Sequence, residues 1–298
     1  MLGIDIGASK ILAIKLEKNS VIKKVKVQLQ NPSRECILSN LGNILQTLGR
    51  DEKVVGVCVP GIFDGGKIIK APNLPSLDGF EIGREIWKLW KKKIVIENDA
   101  NCFALGEYFR WKKDLVGVTL GSGVGGGIII DGKIYHGKRD AGEFGHMTII
   151  PNGRKCNCGN KGCLEEYVAE RAFERESKRI FGKRMTAKEI YNLAKNGNKK
   201  AIDIFERIGR YLGIGLATIS NVLNPQIIVM GGGISKAGKL LLKPAVEEMR
   251  KRVIVRPIPK VVKGKYDSVA FGAAMSVSYT HLRAHETEAD LVCRLLLE

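Results

Sequence analysis

The stretch between Gly117 and Glu166 constrains this chain more than any other, because it combines two kinds of chemistry in a short distance. It begins with a glycine-rich run, GVTLGSGVGGG, and continues through AGEFGH to CNCGNKGC. Backbone N–H groups that glycines leave uncovered can approach phosphate oxygens closely. Glycine-rich hairpins also occur for purely steric reasons, so the run alone is compatible with either explanation.

A histidine and three cysteines in this stretch form the pattern of a metal site. They supply the four borderline-to-soft ligands that suit a closed tetrahedral Zn²⁺ site, namely His146, Cys156, Cys158 and Cys163. The first two cysteines stand closer than the usual CxxC spacing, and Gly159 and Gly162 would let the backbone turn tightly. We predict a structural zinc, since four protein ligands leave no open position for water. The alternative is a coincidental group of cysteines in a cytosolic loop.

The N-terminus repeats the design of the glycine-rich stretch. Leu2 to Leu16 reads as two β-rich runs around a Gly-Ala-Ser turn, with Asp5 ending the first run and Ser9 and Lys10 on or after the turn. The P-loop spacing is absent, but one acid and small residues at a hairpin tip can hold a Mg²⁺–phosphate group. An ordinary edge hairpin is the alternative. The same order of strand, turn and strand runs from Leu115 to Tyr135, which indicates an internal repeat in a chain long enough for two domains.

Apolar periodicity and turn residues predict an α/β fold along the chain. Short apolar runs bounded by turns predict strands at Val21–Leu29, Val54–Val59, Ile94–Glu97, Leu115–Leu120, Ile128–Ile130, Lys133–Tyr135, Gln226–Met230, Val253–Arg256 and Pro259–Lys263. Apolar spacing of the helical kind predicts helices at Ile37–Leu48, Glu81–Trp90, Cys102–Arg110, Ala172–Ile180, Thr186–Lys195, Ala201–Ile219, Leu240–Arg250 and Val269–Ser276.

Two predicted strands end in residues that suit catalysis or ligand binding. The run Ile94–Glu97 leads straight into Asn98 and Asp99, and ligands of open α/β sheets gather outside the carboxyl ends of strands. A carboxylate there, beside a helix N-terminus, is well sited as a general base, although Asp99 could instead merely cap the helix. Another buried strand runs into three glycines that suit nucleotide contact, Gly231, Gly232 and Gly233.

The charge balance and the cysteines narrow the class of protein. The chain carries 49 Lys and Arg against 31 Asp and Glu, and this net charge of +18 admits nucleic acid as a partner. The bases are spread along the chain, so we expect a solvated basic surface and anionic substrates instead of nucleic acid. No apolar run reaches the ~18–20 residues of a membrane span and no leader precedes Leu2, so we expect a soluble, cytoplasmic protein. Cys36, Cys58 and Cys102 are isolated and are expected to be buried thiols.

The last residues, 277–298, do not continue this chemistry. VSYTHLRAHET resembles one reading frame of a transposase-type sequencing adapter, and LVCRLLL resembles the same frame of its far end. We therefore expect a library artefact that replaces the native C-terminus beyond about Ser276, and we assign no function to His281, His285 or Cys293. An ordinary amphipathic helix is the alternative, because Glu286–Glu298 has helical spacing.

Leu2 to Ser276 resembles the ROK family of repressors, uncharacterised frames and sugar kinases, within the actin-like ATPase superfamily. GIDIGASK resembles the first phosphate motif of that family, VTLGSGVGGGI the second and IVMGGGIS the adenosine motif. GEFGH followed by CNCGNKGC and Glu165 is similar to its zinc-and-sugar signature, although the small hydroxyl residue often found four positions after that glutamate is Ala169 here.

The resemblance implies a two-lobed actin-like ATPase (ribonuclease H-like) fold with duplicated β-hairpin units and a zinc-binding loop. Residues 1–112 would form a small lobe with Asp99 at its edge, and residues 113–268 a large lobe. Residues 269–276 would begin a C-terminal helix. A homodimer is expected by similarity to the family.

The resemblance also implies a role for each motif. Asp99 would take the proton from the primary hydroxyl of a hexose as that hydroxyl attacks the γ-phosphate of ATP–Mg²⁺. The sugar hydroxyls would be held by Asn73, Asn98, Glu143, His146 and Glu165, with His146 also bound to zinc. The nucleotide would contact Asp5, Gly7, Ser9, Lys10, Thr119, Gly121, Ser122, Gly123, Gly231, Gly232 and Gly233. Closure of the two lobes would exclude water, which otherwise competes as acceptor.

Two functional classes fit these motifs. The first is an ATP-dependent hexokinase of carbohydrate metabolism and glycolysis, with glucose favoured because GEFGH retains Glu143. N-acetylglucosamine, N-acetylmannosamine, mannose and a phosphoryl donor other than ATP stay open, since a single contact can separate such sugars. The second is a catalytically silent, sugar-sensing regulator. Regulators of this family usually carry a helix-turn-helix domain before the first phosphate motif, and only four residues precede Asp5, so we expect an enzyme.

Overall fold

The computed structural model describes residues 1–277 except Asn31, Gly65, Pro72, Asn73 and Tyr266. The predicted sugar contact of Asn73 and nearly all of the C-terminal tail, residues 278–298, therefore lie outside the described residues. The chain divides into two compact units. One comprises residues 1–109 together with the described residues from Asp267 onward, and the other begins at Arg110 and ends before Asp267. Within the described ranges, no helix combines the length and the apolar composition needed to cross a bilayer.

The first unit is built on a five-stranded mixed sheet of order β3-β2-β1-β4-β7. Its strands are β1 Leu2–Ile6, β2 Lys10–Glu17, β3 Ser20–Gln28, β4 Val54–Val59 and β7 Lys93–Asn98, and a separate ribbon pairs β5 Ile62–Asp64 with β6 Lys67–Lys70. Strands β1, β2 and β3 are antiparallel, whereas β1, β4 and β7 run parallel. The helices that start in residues 1–109 of this unit are α1 Arg34–Leu48, α2 Ile82–Trp90 and α3 Asp99–Trp111.

The second unit repeats this topology with the order β10-β9-β8-β11-β12. Its strands are β8 Leu115–Leu120, β9 Val124–Ile130, β10 Lys133–Ile134, β11 Ile227–Gly231 and β12 Lys260–Lys263. An antiparallel run of three strands again adjoins parallel partners, as the internal repeat predicts. The helices are α4 Glu165–Val168, α5 Glu170–Phe181, α6 Ala187–Lys195, α7 Lys199–Leu223 and α8 Lys239–Arg252.

Local sequence explains where these elements start and stop. The hydroxyl of Ser33 accepts a hydrogen bond from the backbone of Cys36 and begins α1, and Thr186 and Glu189 form a capping box before α6. Helix α7 ends at Asn224, which adopts the left-handed conformation before Pro225. Every residue of β4 and of β11 is buried, as expected for parallel strands that helices cover on both faces.

Residues 268–277 are helical and pack on the first sheet through small residues. A Cβ atom added at Gly56 of β4 would lie 1.6 Å from the carbonyl oxygen of Ala273, and one added at Gly3 of β1 would lie 2.1 Å from that of Ala270. Only glycine allows this approach of helix to strand. The segment therefore belongs to the first unit, whereas the sequence placed it after a continuous large lobe.

Two local predictions differ from the structure, and two short elements were not predicted. Residues Val253–Arg256 do not form a strand, and β9 begins at Val124, so the glycines Gly125–Gly127 lie in a strand and not in the turn. The β5–β6 ribbon was not predicted, because its strands are too short to show a period. The loop after it contains a short 3₁₀ turn, Pro75–Leu77.

Candidate functional site

In the first unit, the predicted phosphate hairpin places an acid against a buried thiol. Asp5 is the Cα partner of Cys58 on the neighbouring strand, and the Cys58 thiol donates a hydrogen bond to Asp5 Oδ1 over 3.4 Å. Burial, reinforced by the charge of Asp99, raises the pKa of Asp5 to about 6, although Lys10 opposes the shift. The tip is closed by the Gly7 amide, which donates to the Lys10 carbonyl, and Ser9 is exposed.

Asp99 is the first residue of α3, but a neighbour caps the helix. Asn98 Oδ1 accepts hydrogen bonds from the amides of Ala100 at 2.8 Å and Asn101 at 3.3 Å, and Asn98 Nδ2 donates to the carbonyl of Gly61. Asp99 Oδ1 accepts a hydrogen bond from the next amide, that of Ala100, over 2.9 Å. Burial raises the pKa of Asp99, so this carboxylate binds a proton more readily than an exposed one. Asn98 is therefore the main cap, and Asp99 shares one of its amides, so capping of the helix does not depend on Asp99 alone.

In the second unit, the glycine-rich hairpin holds a carboxylate that another element supplies. The amide of Val124 donates to Glu165 Oε2 over 2.9 Å, and a Cβ atom at Gly123 would lie 2.4 Å from the same oxygen. Gly123 thus has a steric reason to be glycine. A Cβ atom at Gly121 would meet nothing within 4 Å, so packing does not explain that glycine, and Ser122 beside it is exposed. The amide of Gly121 donates to the carbonyl of Gly123, which closes this tip.

The three glycines Gly231, Gly232 and Gly233 stand at the end of β11 and do not lead directly into a helix. A 3₁₀ turn, Ile234–Ala237, intervenes before α8. Gly232 has a positive φ of 80°, and a Cβ atom there would lie 2.1 Å from the carbonyl of Leu120. Gly231 is buried in the strand, whereas Gly232 and Gly233 are exposed, and a Cβ atom at Gly233 would meet nothing. Close packing explains Gly232 and leaves Gly233 free for another role.

The predicted metal ligands converge. One ligand atom from each of His146, Cys156, Cys158 and Cys163 lies within 4.8 Å of every other. The distances from Cys156 Sγ to His146 Nδ1 and from Cys158 Sγ to Cys163 Sγ are both 3.7 Å. Zn–S bonds of ~2.3 Å in a tetrahedron place neighbouring sulfurs about 3.8 Å apart, so the four atoms fit that geometry.

The three thiols differ in how readily they lose the proton that a bound metal would displace. Burial raises the pKa of Cys163 to about 12 and raises that of Cys156, whereas a backbone hydrogen bond from Asn160 lowers the pKa of Cys158. Without a cation, burial therefore keeps two of the three thiols neutral, and a bound dication would favour all three thiolates. Gly159 and Gly162 have positive φ angles of 95° and 77°, which provides the tight turns predicted around the cysteines.

His146 links this cluster to a neighbouring acid. Its Nδ1 faces Cys156, and its Nε2 lies 3.8 Å from Glu143 Oε2. Both side chains are partly exposed, at 38% and 52%. A histidine whose Nδ1 binds a metal carries its proton on Nε2, so this ring would present a donor on the side of Glu143.

The short helix that carries Glu165 is fixed by a charged network behind the cysteine loop. The next residue, Glu166, is buried and accepts a hydrogen bond from Arg175 Nη1 at 2.9 Å. Arg154 donates both to the Glu166 carbonyl at 3.2 Å and to Glu176 at 3.4 Å. A four-residue helix has little stability of its own, so these contacts decide where Glu165 lies.

Comparison with known proteins agrees with these motifs. The family model described as "ROK family" matches residues 1–277. The chain belongs to the ROK family. It is 31% identical to the glucokinase of Thermotoga maritima, with 91% of this chain and 92% of that protein covered. It is equally 31% identical to the N-acetyl-D-glucosamine kinase of Photobacterium profundum, with 89% and 94% covered.

A solved structure shows the same fold. The ROK family glucokinase from Streptomyces griseus, crystallised with glucose and AMPPNP, superposes with a TM-score of 0.78 at 30% identity and covers 92% of this chain and 97% of its own. The α/β fold with two mixed sheets is therefore that of ROK sugar kinases. These relatives also confirm the predicted class of enzyme, a sugar kinase, while their names divide between two sugars.

Sequence reasoning missed two residues beside Asp5 and Asp99. Cys58 and Glu97 are Cα partners of each other, and Cys58 is also the partner of Asp5. Each of the three is the penultimate residue of its strand, in β1, β4 and β7. Because strand ends align in a parallel sheet, that shared position is the signal that could have identified the row.

Proposed function

We propose that this protein transfers the γ-phosphoryl group of ATP to the primary, 6-hydroxyl of a hexose, with glucose first among the substrates. The observation that carries the proposal is the state of Asp99. It lies at the N-terminus of α3, burial raises its pKa, and Asn98 is the main cap of the helix. A base of this kind accepts the hydroxyl proton as the oxygen attacks phosphorus.

The nucleotide is assigned to both hairpins and to the glycines at the end of β11. Asp5, with Gly7, Ser9 and Lys10, would hold the Mg²⁺–phosphate group, and Mg²⁺ supplies neutralisation of charge on the transferred group. The second hairpin offers Thr119, Gly121, Ser122 and Gly123, of which Gly121 has no packing partner for a Cβ atom. Gly231, Gly232 and Gly233 are proposed to contact the adenosine. The Streptomyces griseus glucokinase was crystallised with an ATP analogue, which supports ATP as the donor.

The sugar is assigned to Asn98, Glu143, His146 and Glu165, with Asn73 as a further contact. In this proposal a structural zinc binds His146, Cys156, Cys158 and Cys163, and supplies a fixed orientation for the histidine ring. Nε2 of His146 would then donate to a sugar hydroxyl beside Glu143, while Glu165 stays held by the Val124 amide. A homodimer and a cytoplasmic location stay predictions.

A second candidate is an N-acetyl-D-glucosamine kinase. The relative of that name from Photobacterium profundum matches this chain at the same 31% identity as the Thermotoga maritima glucokinase, so the two sugars are equally supported. Retention of Glu143 is our reason for placing glucose first. A sugar-sensing regulator without catalysis is the third candidate, and the relatives named as kinases favour an enzyme over it.

The test is a coupled assay of ADP release with ATP and Mg²⁺ over a panel of hexoses and amino sugars, with Asp99→Asn as the matched variant. We expect turnover on glucose, and a loss of about 10²–10⁴-fold in kcat for Asp99→Asn, which keeps size and polarity but cannot accept the proton. Unchanged kcat in that variant would remove the proposed base. Folded protein with bound zinc and no turnover on any sugar would favour the regulator.

A further inference from the structure

Glu97 lies directly before the proposed sugar contact Asn98 and the proposed base Asp99, at the point where β7 becomes α3. One of its oxygens, Oε1, accepts two hydrogen bonds. The backbone amide of Asn98 donates over 2.8 Å, and the side-chain Nδ2 of Asn101 donates over 2.9 Å. A single carboxylate oxygen therefore ties the last strand residue to the first turn of the helix.

Asn101 is held mainly by this contact. Its side chain is 7% exposed, and its Oδ1 has no hydrogen-bond partner among the described residues. A buried amide with one oxygen unsatisfied keeps its orientation because its nitrogen is bound, so loss of the Glu97 acceptor would release it. The backbone amide of Asn101 also donates to Asn98 Oδ1, so hydrogen bonds join the residues on both sides of Asp99 in the chain.

We propose that Glu97 is a positioning residue for Asp99. By fixing the amide of Asn98 on one side and the side chain of Asn101 on the other, it sets the direction in which the Asp99 carboxylate leaves the strand–helix junction. The role needs an acceptor oxygen at Oε1 and no negative charge. The inference rests on the proposed function, because it assigns Asp99 as the base.

Two substitutions at Glu97 distinguish the need for a hydrogen-bond acceptor from the need for a negative charge. Glu97→Gln keeps an oxygen that can accept both hydrogen bonds, whereas Glu97→Ala removes it. We expect Glu97→Ala to lower kcat by about 10- to 100-fold, since a small displacement of a catalytic group has effects of that order, with KM for ATP changed by less than about 3-fold. We expect Glu97→Gln to restore kcat to within about 3-fold of the wild type.

A control for general destabilisation exists on α3, the helix that follows Glu97. Glu107 is fully buried, lies two turns further along α3, and accepts a hydrogen bond from the hydroxyl of Ser268. Glu107→Ala should lower the melting temperature at least as much as Glu97→Ala while leaving kcat near the wild-type value. A fall in kcat of equal size in both alanine variants would show that lost stability, and not positioning, explains the effect.

A spectroscopic measurement tests the proposal without relying on turnover. The ¹³C resonance of the Asp99 side-chain carboxyl group, assigned by its loss in Asp99→Asn, should shift in Glu97→Ala and stay in place in Glu97→Gln and Glu107→Ala. If wild-type protein phosphorylated no sugar, the proposed function would fail while this test still decided the positioning. Glu97→Gln behaving like Glu97→Ala would mean that the negative charge is required, and an unmoved resonance in Glu97→Ala would show no positioning; either result overturns the proposal.

Discussion

The two hairpins occupy the same place in the two sheets but obtain their acidic group in different ways. Asp5 is the penultimate residue of β1, and the equivalent position of β8 is Thr119. The first hairpin therefore carries its carboxylate in the strand itself. The second has none, and Glu165 reaches it from α4 through the hydrogen bond with the Val124 amide.

This difference separates what fixes the acidic group of each hairpin. In the first unit, strand register alone places Asp5 beside Cys58, so hydrogen bonding between strands determines the geometry. In the second unit, Glu165 follows Cys163 by two residues, so its position depends on the loop that the cysteine cluster closes. We therefore expect the position of Glu165 in the second unit to depend on the proposed metal, and the position of Asp5 in the first unit to be independent of it.

We expect loss of the proposed zinc to have the largest effect on stability and on sugar binding. Cys163→Ala removes a buried ligand, so we expect the zinc content measured by mass spectrometry to fall from one per chain to near zero. Because metal binding contributes to folding, the free energy of unfolding should fall by several kcal/mol. KM for the sugar should rise more than about 10-fold, while KM for ATP changes less, since Glu165 and His146 lose their support.

The matched control is Cys36→Ala, which removes a half-buried thiol of α1 in the first unit. It should leave zinc content and both KM values unchanged. If wild-type protein contained no zinc, and if a chelator left its KM for the sugar unchanged, the proposed metal would be contradicted. The expected difference between the two hairpins would then be contradicted as well.

The sequence predicts the repeated hairpins well, because both carry strong turn signals and β-rich runs of the expected length. It also identifies all four side chains of the cysteine–histidine cluster, since their spacing is local. It does not identify the row of Asp5, Cys58 and Glu97, which depends on the register between three strands distant in sequence. Nor does it show which unit residues 268–277 join, because only their packing against Gly3 and Gly56 reveals this.

A smaller effect should follow from neutralising the acid of the first hairpin. The pKa of Asp5 rises from 3.8 to about 6 on folding, so the folded protein holds this proton more tightly than the unfolded chain. The free energy of unfolding therefore decreases as pH rises from about 4 to about 6, and the destabilisation persists above that range. Asp5→Asn should raise the free energy of unfolding at pH 8 by at most about 3 kcal/mol and give no gain at pH 3, measured by urea unfolding.

Asp51→Asn is the control for this pH dependence, because the Asp51 side chain is 84% exposed in the same unit. It should leave the difference in stability between pH 3 and pH 8 unchanged. Asp5→Asn should at the same time weaken ATP binding, so that a gain in stability accompanies a loss of function. A variant no more stable at pH 8 than the wild type would show that Asp5 is not destabilising when ionised.

We expect the smallest effects from adding one methyl group at the tip of each hairpin, which compares the two tips directly. At Gly123 the new Cβ atom would lie 2.4 Å from Glu165 Oε2, so Gly123→Ala should displace that carboxylate from the Val124 amide. The loss of one hydrogen bond costs about 1 kcal/mol, equivalent to a rise of about 5-fold in KM for the sugar.

At Gly7 the nearest atom, the Lys10 carbonyl oxygen, is 3.3 Å away, so Gly7→Ala should need only a small shift and affect KM for ATP alone. Steady-state kinetics with each substrate varied in turn would measure both. An equal rise in sugar KM for the two variants would mean that the second hairpin has no special dependence on Glu165, because a methyl group at either tip would then act only by disturbing its own turn.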